Sequence, residues 1–166
     1  PFFESRFAIT AFLAGLYSAV WGLGIVFGGL LGGRGTDKLG HRRSVWLAMG
    51  ISLVSILLFL IAPNPAAAFG IALAFGFAFG FYETVYFATS MARTDPRIAA
   101  SMFSILMAIA NIGTGIGLAV TGVMVDGLGY PWTFVIVAAL NLLAMPLIPV
   151  VFRRKASPSL EVGDAR

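Results

Sequence analysis

Glu83 is the only acidic residue set deep inside an apolar run of this 166-residue chain. A charge at the centre of a bilayer costs at least about 2.5–3.5 kcal/mol on insertion scales, so such residues turn inward and usually carry function. Helical spacing puts Gly76, Gly80, Tyr86 and Ser90 on a small, polar stripe with it, suited to a cavity wall. Desolvation penalises an ionised carboxyl, so the chemistry on offer is proton exchange. The other chemistry is recognition of a cationic or hydroxylated substrate, and the plain structural alternative is a carboxyl bonded to a neighbouring helix. A second polar stripe runs through Ser104, Ala108, Asn111, Thr114 and Gly115. Asn111 offers two donors and two acceptor sites, so it either reads a substrate or joins helices. Tyr17 and Trp21 are mid-span aromatics that either pack or line a cavity, and Asn141 reads as glue between helices.

The segment 33–43 is polar and has a different chemistry. It reads Gly33-Arg34-Gly35-Thr36-Asp37-Lys38-Leu39-Gly40-His41-Arg42-Arg43. Glycines at both ends suit a tight turn between two helices. Asp37 can cap or face a helix N-terminus, where a negative charge gains about 0.3–1 kcal/mol. Arg42 and Arg43 suit the anionic surface of a cytoplasmic leaflet. His41 reads as a solvated loop residue rather than a titrating switch.

The elements that position these residues follow from composition. The chain is 59% hydrophobic and 11% charged, with mean hydropathy +0.95. A soluble domain carries about 25% charged residues, and one this apolar would expose large greasy patches. Four stretches lack charge, 7–33, 44–82, 98–125 and 127–152, and Pro63-Asn64-Pro65 breaks the second. A spanning helix needs about 20 apolar residues. The reading is therefore an all-α integral membrane protein, a polytopic bundle of five transmembrane helices. Those helices are expected over about 7–32, 44–62, 66–91, 97–122 and 131–152, giving a bundle over 1–152 and a polar tail over 153–166. Asp95-Pro96 reads as an N-cap followed by proline at the first helical position, and Pro131 opens the fifth helix in the same way. Glycines spaced by four (Gly24, Gly28 and Gly32; Gly76 and Gly80; Gly113 and Gly117) suit close helix approach in lipid.

Orientation follows from the basic residues. Arg34, Lys38, Arg42, Arg43, Arg93, Arg97, Arg153, Arg154, Lys155 and Arg166 fall on one side of the five-helix arrangement, and only Arg6 on the other. The positive-inside rule makes that side cytoplasmic, with the N-terminus outside and the C-terminus inside. The net charge of +4 does not point to nucleic acid, because the basic residues mark the ends of apolar runs and form no binding stripe. Cysteine is absent. No zinc motif, phosphate loop or nucleophile elbow is present, so neither an enzyme nor a metal or other cofactor is expected.

The segment 33–43 resembles the cytoplasmic signature of the major facilitator superfamily: Gly, three residues, Asp, a basic residue, any residue, Gly, then a basic pair. In that family the segment joins the second and third helices of a six-helix repeat. Here it follows the first helix. The resemblance thus implies a partial repeat with a helix missing upstream of Pro1, and the short polar tail favours the C-terminal repeat. It also implies transport of a small solute by alternating access in a membrane of the prokaryotic inner type. Gly33, Asp37, Lys38, Gly40, Arg42 and Arg43 would form the gating segment. Helices one, three and four would line the path with Glu83, Tyr86, Asn111, Thr114, Tyr17 and Trp21. The expected partners are the substrate, protons, lipid and the upstream helices. A helical assembly or signalling module that transports nothing is the alternative.

Overall fold

The computed structural model describes residues 10–61 and 64–152, with no strand among them. Arg6, the expected start of helix one at 7, the end of helix two at 62, Pro63 and the tail over 153–166 lie outside the described residues. The helices are α1 (Ala11–Leu39), α2 (His41–Leu58), α3 (Pro65–Met91), α4 (Ala99–Ala144) and α5 (Leu147–Val151). Short 3-10 turns, Phe59–Ile61 and Pro96–Ile98, follow α2 and precede α4.

Side chains cap the starts of α1, α3 and the 3-10 turn before α4. Thr10 Oγ1 accepts from Leu13 N at 3.4 Å, and Asn64 Oδ1 accepts from Ala67 N at 2.8 Å with Pro65 next in the chain. Asp95 Oδ1 accepts from Arg97 N at 2.9 Å ahead of Pro96. Each satisfies an amide that has no partner within its own helix.

α4 is continuous except at Gly129, where φ 78 and ψ 166 leave the helical region. The apolar helical stretch 96–149 is 54 residues long. Straight, it would run about 80 Å, against a hydrocarbon core of about 30 Å. Its contacts show two arms. Phe103 lies 5.3 Å from Phe87 between ring centroids, and Ala110 and Thr114 share a groove with Phe79 and Glu83. The first arm, 99–128, thus runs antiparallel to α3. Beyond Gly129, Phe134 stacks on Phe59 at 5.1 Å, and further on Phe152 lies beneath Arg93. The second arm, 130–144, returns along α2 and α3. With α1, α2 and α3, the two arms make five passes of apolar helix.

Two expected boundaries move. Helix one does not stop near 32; it continues to Leu39, taking Gly33–Leu39 out of the expected loop. Thr36 Oγ1 donates to Gly32 O at 2.8 Å and is buried against the bundle. No proline interrupts this stretch, so nothing stops the helical hydrogen bonds. Only Gly40 departs, at φ 79 and ψ 158, before His41 begins α2. Helix four likewise passes 122, and the connection to the next pass narrows to Gly129.

The main packing is α1 against α3. A Cβ on Gly28 would lie 2.8 Å from Phe77 C and 2.9 Å from Phe81 N. One on Gly32 would lie 2.9 Å from Phe81 O. From the other helix, Gly76 and Gly80 abut the Trp21 and Ile25 carbonyls. The two backbones thus touch along a seam of facing glycines, as small residues permit in lipid. Tyr17, Ala68 and Ala72 close one end of it, and Ala48, Phe81 and Val85 form a cluster at the other. Gly113 and Gly117 meet nothing within 4 Å among the described residues. On the same arm Leu118 is 69% and Val123 74% exposed, so this face of α4 is open.

Candidate functional site

α3 presents Glu83 one helical turn from Phe79 and Tyr86. A groove of about 340 Å³ between α3 and the first arm of α4 is lined by Phe79, Tyr82, Glu83, Tyr86, Ala110, Gly113 and Thr114. Glu83 and Tyr86 are half-buried there. The groove therefore offers one carboxyl and three hydroxyls around an aromatic wall. Thr114 Oγ1 donates to Ala110 O at 2.9 Å, which fixes its rotamer and leaves its lone pairs available.

Three of the residues expected on the path, Glu83, Tyr86 and Thr114, meet in this groove; the others stand elsewhere. Tyr17 is buried in the α1–α3 seam, its ring stacked on Phe69 at 4.2 Å. Trp21 packs on Phe79 at 5.9 Å, behind the groove wall. Asn111 is exposed and is not among the lining residues. The expected stripe on α3 is divided: Gly76 and Gly80 enter the seam with α1, while Glu83 and Tyr86 turn toward α4.

Tyr82 was not singled out from the sequence, yet it borders this groove and a second one of about 340 Å³. That second groove, between α2, α3 and the second arm of α4, holds Ser52 and Asn141. The Asn141 Oδ1 is buried with no hydrogen-bond partner among the described residues. The only sequence signal for Tyr82 was its spacing of four from Tyr86.

The signature residues gather where α1 meets α2. Gly33 is half-buried in α1, and Asp37 and Lys38 are exposed in its last turn. Arg42 and Arg43 are exposed in the first turn of α2. Asp37 is not the cap of α2: that position is Gly40, and no side chain caps it. His41 is half-buried, with its Nδ1 3.5 Å from Thr89 Oγ1 of α3, so it packs rather than sitting free in a loop. Ser44, fully buried, donates to Gly40 O at 3.1 Å and holds the turn. No group of three or more His, Cys, Asp or Glu that could hold a metal ion occurs among the described residues.

Long apolar helices packed through glycine, with a polar groove between two of them, define an integral membrane protein of the helical-bundle class. The family model of the Major Facilitator Superfamily matches residues 1–166, and the chain belongs to that superfamily. Its role is accordingly membrane transport of solutes, with a small-molecule substrate and the lipid bilayer as partners. Comparison with curated proteins and with solved structures gives no match.

Proposed function

We propose that the Glu83 groove is part of the path of an alternating-access carrier and that Glu83 couples transport to protons. The observation that carries this reading is the convergence of Glu83, Tyr82, Tyr86 and Thr114 on one groove. Protonated, the carboxyl donates a hydrogen bond; ionised, it accepts one and attracts a cation. A change of access that moves the groove from one aqueous side to the other then alters the environment of the carboxyl and releases or takes up a proton. The hydroxyls of Tyr82, Tyr86 and Thr114 suit a hydroxylated or cationic solute. Further helices on the open face of α4 would supply the opposite wall, in keeping with two bundles rocking about a midplane site.

In this reading 1–152 is the bundle and 153–166 a cytoplasmic tail. The turn at Gly40 lies on the cytoplasmic side of a membrane of the prokaryotic inner type, and Asp37, Arg42 and Arg43 gate there. The test is uptake by the full-length protein in proteoliposomes under an imposed pH gradient. Glu83→Gln should abolish the pH dependence of uptake. Unchanged pH-dependent uptake removes Glu83 from the mechanism.

A further inference from the structure

A further amphipathic groove lies on the other side of α3. A half-open groove of about 370 Å³ runs between α2, α3 and the chain from Ala144 to Phe152. Its walls are apolar over most of their length, with Met49, Val85, Leu147 and Ile148 among them. Its volume equals roughly a dozen waters, but those walls offer water few partners.

One end differs. There Thr89, Ser90 and Arg93 stand together, and the Arg93 guanidinium lies 4.7 Å from the centroid of the Phe152 ring. Stacking on a ring face leaves the in-plane N–H donors of an arginine free for a two-point acceptor such as phosphate. The nearest carboxylate in sequence, Asp95, accepts from Arg97 N and caps the following turn. Among the described residues, no acidic side chain lines the groove.

We propose that this groove binds one anionic phospholipid, with its phosphate on Arg93 and an acyl chain along the apolar walls. The shape and the charge both select that occupant. The body is apolar and set within membrane-spanning helices, and Arg93, the one cation among the described lining residues, stands at the helix ends, where headgroups lie. Basic pockets between spans are places where anionic headgroups bind. The inference does not depend on the role of Glu83. Tyr82 and Tyr86 border both grooves, so an acyl chain here touches the far side of the residues that line the candidate path.

The test is native mass spectrometry of the delipidated full-length protein, titrated separately with dioleoyl phosphatidylglycerol and dioleoyl phosphatidylcholine. The first phosphatidylglycerol should bind about fivefold more tightly than the first phosphatidylcholine, the worth of one basic contact near a surface. Arg93→Gln should bring the ratio close to one, and Arg93→Lys should keep part of it. Arg97→Gln, at an exposed neighbouring arginine, should leave it unchanged. Leu147→Trp, which fills the groove, should weaken the first binding of both lipids. The proposal is overturned if the wild type shows no preference, if Arg93→Gln retains it, or if Arg97→Gln lowers it as much as Arg93→Gln does.

Discussion

Gly28→Ala adds one methyl group at the tightest part of the α1–α3 seam. The new Cβ would lie 2.8 Å from Phe77 C and 2.9 Å from Phe81 N, where non-bonded carbon atoms prefer about 3.5–4.0 Å. Both obstacles are backbone atoms of a helix, so no side chain can rotate away. The helices must separate by about 1 Å, which loosens dispersion contacts along the seam. Overpacking of this kind costs about 1–3 kcal/mol. Alanine recovers about 0.8–1.0 kcal/mol through its better helix propensity. The control is Gly117→Ala, where nothing among the described residues lies within 4 Å and only the propensity gain operates. The gain is common to both substitutions, so their difference in stability should be the overpacking cost alone. Thermal melting of the detergent-purified protein, followed by size-exclusion recovery after heating, reads this difference. Gly28→Ala should melt several degrees below Gly117→Ala. Equal melting temperatures for the two variants would refute the backbone contact on which the reasoning rests.

Gly40→Ala forces a side chain into a backbone region with φ 79 and ψ 158 that is close to glycine-only, at a cost of about 1–3 kcal/mol; a melting temperature equal to wild type would count against the turn described. Asp37→Asn removes a negative charge from the last turn of α1, where the helix dipole disfavours it by about 0.3–1 kcal/mol. Stability should hold or rise slightly while flux falls if Asp37 gates; unchanged flux would leave the residue a topological role only. Asn141→Leu removes a buried Oδ1 that has no partner among the described residues. Loss of an unsatisfied acceptor should leave the melting temperature unchanged or raise it, whereas a drop of several degrees would mean that the amide is bonded.

Apolar length made the passes legible, because hydrocarbon thickness sets a minimum that no soluble segment here needs to meet. The glycine spacing on α1 and α3 was legible for a similar reason: it leaves a seam only backbones can fill. The helical course of Gly33–Leu39 was not legible. Glycine and charge signal a turn locally, while Thr36 packing into the bundle is a tertiary matter. The narrowing of two connections to Gly40 and Gly129 was hidden in the same way. Within the site, Glu83 declared itself by its cost in lipid. Tyr17, Trp21 and Asn111 did not sort, because helices apolar nearly all round carry no periodic mark of which face meets which neighbour. Only the contacts place Tyr17 against Phe69, Trp21 against Phe79 and Asn111 on an open flank.

The facing glycines of α1 and α3 also limit how those two helices can slide. A displacement of one or two residues along the seam would drive a larger side chain into the opposing carbonyls at Trp21, Ile25 or Phe77. The next commensurate position is a whole repeat of four residues away, about 6 Å along the axis. Small shear between them is therefore blocked, and the pair behaves as a single strut. Any rearrangement that opens or closes the Glu83 groove has to be taken up at the sparser contacts between α3 and the first arm of α4.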